Sequence, residues 1–224
     1  MLLSYNQLMS KVIGGGCIRN VDPDNVNGSS IDIRLGDTVM EEAHPTPLCP
    51  SCGYDVGEQG QFDLKSRRDR DHSLVRCPRC QERSPYGAFF TPIDITKKEP
   101  LKMTEISLKD KDFILGPGEA ILAQSMEIFY LPANITAEYR LKSSMARCFL
   151  EHLHAGWCDP MWQGSVLTLE LVNMSKYHSL VLKAGMKIGQ MCFYSHDPVP
   201  QDKSYAVRGQ YNNNQKVTPS QGLK

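Results

Sequence analysis

"DFILGPGEAILAQSMEIFYLP", Asp112 to Pro132, is the stretch on which the fold turns. A short apolar run enters Gly116-Pro117-Gly118, and a longer run leaves it and stops at Pro132. That is strand, turn, strand. Upstream, "SSIDIRLGDTVM" (29–40) alternates Ile31, Ile33 and Leu35 against Asp32, Arg34 and Gly36, the pattern of a half-buried strand. Downstream, "ANITAEYRL" (133–141), "SVLTLELVN" (165–173) and "SLVLKAGMKIGQMCFY" (179–194) read as further strands, the last broken at Ala184-Gly185. Between them "KSSMARCFLE" (142–151) reads as a short helix or turn. Short strands at regular spacing with Gly and Pro punctuation predict an all-β sandwich or barrel.

The ends differ from this middle. "SYNQLMSKVIGGG" (4–16) predicts a short N-terminal helix, with Ser4 and Gln7 as a capping box, Leu8, Val12 and Ile13 on one face, and three glycines as the stop. Its apolar stripe is that of a helix docked on a core. The tail "RGQYNNNQKVTPSQGLK" (208–224) is polar, and by composition alone it would be a disordered end.

The chain has 224 residues, room for one sizeable domain or for one domain carrying an insertion. Lys plus Arg and Asp plus Glu both number 25, so the formal net charge is zero and no global field draws the chain to nucleic acid or an anionic membrane. A membrane partner is not expected, since there is no apolar run of about 18 residues. The start, "MLLSYNQLMSK", lacks the basic region and long apolar core of a signal peptide, so a cytoplasmic location is expected. No internal repeat, phosphate-binding G-x-x-x-x-G-K-[ST] loop or G-x-S-x-G elbow occurs.

Residues 45–88 change character and read as an inserted module, rich in proline, glycine and charge. They hold Cys49-Pro50-Ser51-Cys52 and Cys77-Pro78-Arg79-Cys80. Two C-x-x-C knuckles offer four thiolates, a set that suits tetrahedral zinc in an intracellular chain better than disulfides. Four thiolates close the site, so the predicted zinc is structural. A zinc deaminase would need H-x-E followed by P-C-x-x-C. His154-Ala155-Gly156 lacks the acid and lies after the cysteines, and His44 is followed by Pro45-Thr46, so that reading fails. Arg67, Arg68, Arg70, Arg76, Arg79 and Arg83 are interleaved with Asp63, Asp69, Asp71 and Glu82, a charge-mixed surface rather than a nucleic-acid patch. The remaining cysteines, Cys17, Cys148, Cys158 and Cys192, are expected as small buried side chains.

Three segments carry polar groups that a core does not need. Lys142, Ser143, Ser144 and Arg147 combine hydroxyls, amides and cations able to hold phosphate, beyond what a capped helix start requires. Asp159, before Pro160, can cap a turn or can hold a sugar hydroxyl, a metal or water. Glu170 shares a strand face with Val166, Thr168 and Val172. There it is either an exposed carboxylate or a desolvated one with a raised pKa, fit for general acid–base work.

In these stretches the chain resembles the dCTP deaminases of the dUTPase-like superfamily. "SSIDIRLGD", "FILGPGEAILAQSMEIFYLP", "KSSMAR", "AGWCDPMWQG" with "TLELVN", "LKAGMKIGQMCF" and "YNNNQKVTPS" fall in family order and leave out only about residues 45–88. The resemblance implies a distorted β-barrel or jelly roll, a homotrimer with active sites between subunits, and a deoxycytidine nucleotide substrate. It implies a hydrolase converting dCTP to dUTP and ammonia, in some members with further cleavage to dUMP and pyrophosphate, and Mg2+ accompanying the triphosphate. Glu170 matches the glutamate that activates water, and Ser143 and Arg147 match the pair that orders water and base. Lys142 and Ser144 match phosphate-side residues, Asp159 the acid near the deoxyribose, and Tyr211 and Gln215 the tail that closes over the nucleotide.

The match has departures. Lys142 stands where the family usually has Arg, which removes a bidentate fork. The span from Arg147 to Asp159 is one residue short of the family's and that from Asp159 to Glu170 one long, so the two offsets cancel. In the tail, Gln210 replaces a Lys before Tyr211, and Gln215 lies one position beyond the family's Gln. The alternatives are a dUTPase, which has an apolar residue where this chain has Glu170, and a non-catalytic nucleotide-binding or structural trimer of the same fold.

Overall fold

The computed structural model describes residues 1–43, 45–57, 74–96 and 101–223. His44, Asp63, Arg67, Arg68, Asp69, Arg70 and Asp71 lie outside the described residues. The chain divides into two compact units, Met1–Glu42 with Lys102–Gln221 and Ala43–Leu101 with Gly222–Lys224.

In the larger unit the strands are β1 (Ile18–Arg19), β2 (Ile31–Glu42), β5 (Met103–Ser107), β6 (Phe113–Leu115), β7 (Ala120–Tyr130), β8 (Ile135–Leu141), β9 (Leu150–Glu151), β10 (Trp157–Cys158), β11 (Gln163–Asn173), β12 (Leu180–Leu182) and β13 (Lys187–Ser195). The smaller unit holds β3 (Leu74–Arg76) and β4 (Arg83–Pro85). One antiparallel sheet runs β10-β8-β13-β2-β7-β11-β9, with β1 against β7 and β5 against β2. The Gly116–Gly118 turn does not close a hairpin. β6 pairs instead with β12 in a separate two-stranded sheet, so the turn hands the chain from one sheet to the other. Gly118 takes φ +74° there, and Gly116 N–H is capped by Glu119 Oε2 at 2.8 Å.

The alternation read in β2 holds, with Ile31, Ile33 and Leu35 fully buried beside Phe129, Leu169, Leu171 and Phe193. Two acids are nonetheless buried, Asp32 in β2 and Glu127 in β7. Asp32 is also buried, because Lys142 Nζ and Asn27 Nδ2 donate to its Oδ1 at 2.6 and 2.9 Å. Glu127 is buried completely and accepts from Arg34 Nε at 2.8 Å and from Arg34 N–H at 3.0 Å. A buried carboxylate persists only when so satisfied.

The N-terminal helix is present in an altered form. Helix α1 (Tyr5–Gln7) is entered through Ser4 N–H, which donates to Gln7 Oε1 at 3.0 Å, and it widens at once into a π-helix, Leu8–Ile13. Gly14 N–H closes on Met9 O at 2.9 Å. The wider turn still buries Leu8 and Val12. The short helix α2 (Ser143–Ala146) follows Lys142, and α3 (Tyr205–Arg208) precedes the tail. No helix of the described residues is long and apolar enough to cross a membrane.

The tail corrects the expectation of a disordered end. Residues 211–217 lie along the start of β11, with Asn213 N–H donating to Gln163 O and Val166 N–H to Asn214 O, both at 2.9 Å. The tail finds in β11 backbone partners that its own composition could not provide. Gly164 makes this fit possible. It has φ +67°, and a Cβ there would stand 2.5 Å from Asn213 Oδ1. Gly164→Ala is therefore expected to add about 1–3 kcal/mol of backbone strain and to lift the tail. Limited proteolysis should cut the variant beyond residue 208 faster than wild type, and equal cutting would show that the tail is held elsewhere.

Candidate active site and metal centre

Glu170 sits in the middle of β11, across from Leu122 of β7, with Leu169 and Leu171 facing the core on either side. Its own side of the strand is half-buried, so the carboxyl is partly desolvated. Burial raises its carboxyl above the ordinary carboxylate value, and only its own backbone N–H opposes the shift. No other side chain among the described residues hydrogen-bonds it. Its charge is felt by two neighbours. Burial first, then Glu170, hold the Tyr139 hydroxyl up; burial, then Asp159, then Glu170, do the same for the Cys158 thiol. Cys158 is therefore an inert thiol between two carboxylates.

A raised acid has a definite sign. The folded-state pKa lies above the unfolded value, so any stabilisation from this group is complete at low pH and is lost as pH rises through the folded pKa. As a base, the same group works only after losing its proton. The acid limb of kcat/KM is expected above about 4.3, the ordinary glutamate value, in a pH–rate profile. A limb at or below that value would remove Glu170 as the titrating base.

The other predicted residues have these places. Ser143, Ser144 and Arg147 are exposed on and just after α2, and they make no side-chain hydrogen bond to Glu170 or Asp159 among the described residues. Lys142, expected to face phosphate, is instead tied to the buried Asp32, which Lys187 also approaches at 3.7 Å. Asp159 is exposed and its Oδ1 accepts from Trp157 Nε1 at 3.0 Å. Tyr211 gives its carbonyl to Trp162 Nε1 and Ser165 Oγ, at 3.1 and 2.8 Å, and Gln215 Nε2 donates to Gly164 O. Both tail residues thus lie on the β11 of their own chain.

Sequence reading missed three participants. Asp32 looked like the outward member of an alternating strand, and its partner is 110 residues away. The Tyr139 hydroxyl is buried with no partner among the described residues, a donor the chain itself leaves unmet. Trp157 holds Asp159, and the two-residue spacing at the end of a strand, which puts both on one face, was the available signal. Among the single cysteines, Cys17 and Cys158 are buried as expected and Cys192 is half-buried, but Cys148 is exposed where the chain leaves α2.

In the smaller unit the four knuckle cysteines converge, with all sulfurs within 4.8 Å of one another. Cys49 and Cys80 are 3.7 Å apart, and Cys52 and Cys77 3.8 Å. Four ligands at a Zn–S length of about 2.3 Å in a tetrahedron stand about 3.8 Å apart, so the set fits a metal of that size. The two knuckles are built alike. Gly53 N–H bonds Cys49 O at 2.8 Å and Gln81 N–H bonds Cys77 O at 3.0 Å, with φ +68° and +64° at the turning residues. Burial pushes the Cys77 thiol up, but the N–H groups of Cys80 and Arg79 and the thiols of Cys49 and Cys80 outweigh it and bring it down to about 7.

A family model described as dCTP deaminase-like matches residues 83–196. A protein of Mycobacterium ulcerans named "dCTP deaminase, dUMP-forming" is 34% identical over 229 aligned residues, which take in all of this chain and 97% of that protein. The chain belongs to the dCTP deaminase-like family. Proteins of the same name from Hydrogenobaculum sp. and Nanoarchaeum equitans are 37% and 35% identical, over 58% and 80% of this chain and 73% and 76% of their own lengths. The crystal structure of 2'-deoxycytidine 5'-triphosphate deaminase from Agrobacterium tumefaciens superposes with a TM-score of 0.50 at 18% identity. It covers 85% of this chain, and this chain spans 47% of that one. The curled antiparallel sheet is therefore the fold of the deaminase family. The family match begins at residue 83, after the last knuckle cysteine.

Proposed function

We propose that this family member deaminates dCTP and carries the product on to dUMP: dCTP and water give dUTP and ammonia, and dUTP and a second water give dUMP and pyrophosphate. The carrying observation is the half-buried, raised carboxyl of Glu170 on β11, in a chain matched end to end by a relative named dUMP-forming. Glu170 takes a proton from water as its oxygen adds to C4 of the cytosine ring, and passes a proton to the ring nitrogen N3. The tetrahedral carbon then expels the exocyclic amine, which takes the proton of the C4 hydroxyl and leaves as ammonia, and the C4 carbonyl forms. Arg147 and Ser143 order the water and base, and the guanidinium stabilises charge developing in the closed site.

The exposure of Ser143, Ser144 and Arg147 supports a site completed by a second subunit. Exposed Phe149, just beyond α2, supports a homotrimer that covers it. Ser144 and the tail residues Tyr211 and Gln215 take the phosphate side, with Mg2+ on the triphosphate. Lys142, already paired to Asp32, serves there by holding α2 in place rather than as a free cation. Asp159 holds the sugar and orients the water of the second step. The cysteine centre holds zinc as structure, its four thiolates leaving no open position. A nucleoside triphosphate substrate supports a cytoplasmic place of action.

Incubation with dCTP, followed by ammonia assay and separation of the nucleotides, tests this. Ammonia with dUMP and pyrophosphate is the expected result. Ammonia with accumulating dUTP would leave the deaminase and remove the second step, and no ammonia would overturn the function.

A further inference from the structure

A second cluster of metal-binding side chains stands in the larger unit, apart from the cysteines. β9 is pinned to β11 through Val172 and Glu151, and β10 to β8 through Glu138 and Trp157. Residues 152–156 must bridge these two anchors, and Gly156 O is fixed by Tyr139 N–H at 2.8 Å. Within the bridge Leu153 and His154 are both left-handed, each with φ 55°. Neither is glycine, so both are strained.

The strain doubles the chain back on itself. It brings the His154 ring within 4.9 Å of the His152 ring, and His154 Nε2 within 3.8 Å of Glu151 Oε1. One ligand atom from each of Glu151, His152 and His154 then lies within 4.8 Å of the other two. The buried His152 ring is held edge-on by Tyr139 at 5.3 Å, and Glu151 Oε1 is steadied by His152 N–H at 2.7 Å. In front of the three donors lies a groove of about 490 Å³ that Glu138, Arg140 and Trp157 also line.

An exposed carboxylate–imidazole contact does not account for this geometry. The His154 and Glu151 side chains are 83% and 38% exposed, and such pairs return less than two left-handed residues cost. We propose that Glu151, His152 and His154 form a two-histidine, one-carboxylate site for a zinc-class divalent cation, with its remaining coordination positions open to the groove. Imidazole and carboxylate oxygen are the donors of open zinc sites. Bonds of about 2.0–2.1 Å in a tetrahedron put ligand atoms about 3.3–3.4 Å apart. The His154 Nε2–Glu151 Oε1 separation of 3.8 Å is within about half an ångström of that value, and His154 is the most exposed of the three. The site differs in kind from the closed four-thiolate centre, and it does not depend on the deaminase reading.

The test uses the untagged full chain, dialysed with Zn2+ and assayed for metal per chain, beside His154→Ala and Glu151→Gln. Both changes are at accessible positions, and unchanged circular dichroism and melting of the metal-free proteins will verify that they fold. Wild type is expected to hold one more equivalent of zinc than either variant. With Co2+ as the probe, that extra equivalent should add visible d–d absorption without the near-ultraviolet thiolate-to-cobalt band. Equal zinc in all three proteins would overturn the site, as would an extra cobalt equivalent that carries the thiolate band.

Discussion

Glu170→Gln is expected to cut ammonia release from dCTP by roughly 10²–10⁴-fold, the usual worth of a positioned acid–base group, while the nucleotide still binds. Gln keeps the volume and polarity of the side chain in the half-buried face of β11, so the loss falls on kcat and not on KM. Stability should move the other way. The wild-type carboxyl is desolvated and raised, so its charged form costs the fold stability as pH rises. The amide never ionises. The variant should therefore melt at or above the wild-type temperature at pH 7, and the difference should disappear at acid pH. A slower enzyme that is also less stable at pH 7 would mean that the defect is one of folding. A variant with wild-type ammonia release would end the role given to Glu170.

The double change Cys77→Ser with Cys80→Ser should dismantle the smaller unit and spare the chemistry. Among its described residues the buried core is Cys49, Val56, Cys77 and Phe89, with Tyr54, Val75 and Phe90 against it. Among the described residues that is too little apolar surface to hold the knuckles together without a staple. Apparent zinc affinities of four-ligand sites at about 10–16 kcal/mol exceed what so small a core can contribute. Trypsin should cut the variant inside 43–101 and leave the remainder intact, with the zinc of this centre gone and ammonia release unchanged. Loss of deamination in a variant whose larger unit still melts cooperatively would give the cysteine centre a part in the reaction.

The strands were legible because a period of two writes burial directly into sequence, as in Ile31, Ile33 and Leu35. The spacing of the cysteine pairs was legible for a similar reason, since two residues of turn fix how two sulfurs face one ion. What stayed hidden was long-range. That β6 would pair with β12 and not with β7 depends on the sheet that receives each strand, and the Gly-Pro-Gly turn is compatible with either. Asp32 and Lys142 carry no local sign of each other. The π-helix needs one extra residue per turn, which composition does not mark. The tail is polar enough to be free and becomes ordered only because β11 offers it unpaired backbone at Gln163 and Val166. At the candidate site, Glu170 could be singled out as a carboxylate among apolar neighbours, but whether its face was wet depended on what packs over β11.

Glu42 and Met103 stand opposite each other at the last rung between β2 and β5. In an antiparallel ladder such partners have their Cα atoms about 4.5–5.5 Å apart. Everything from Ala43 to Lys102 therefore leaves and rejoins the sheet through one doorway no wider than a hairpin turn. To the sheet, those residues are an oversized loop, and a longer loop adds closure entropy only logarithmically. The β2–β5 ladder thus sets the two ends of the unit side by side, and the cost of what is strung between them reaches the sheet only through that closure.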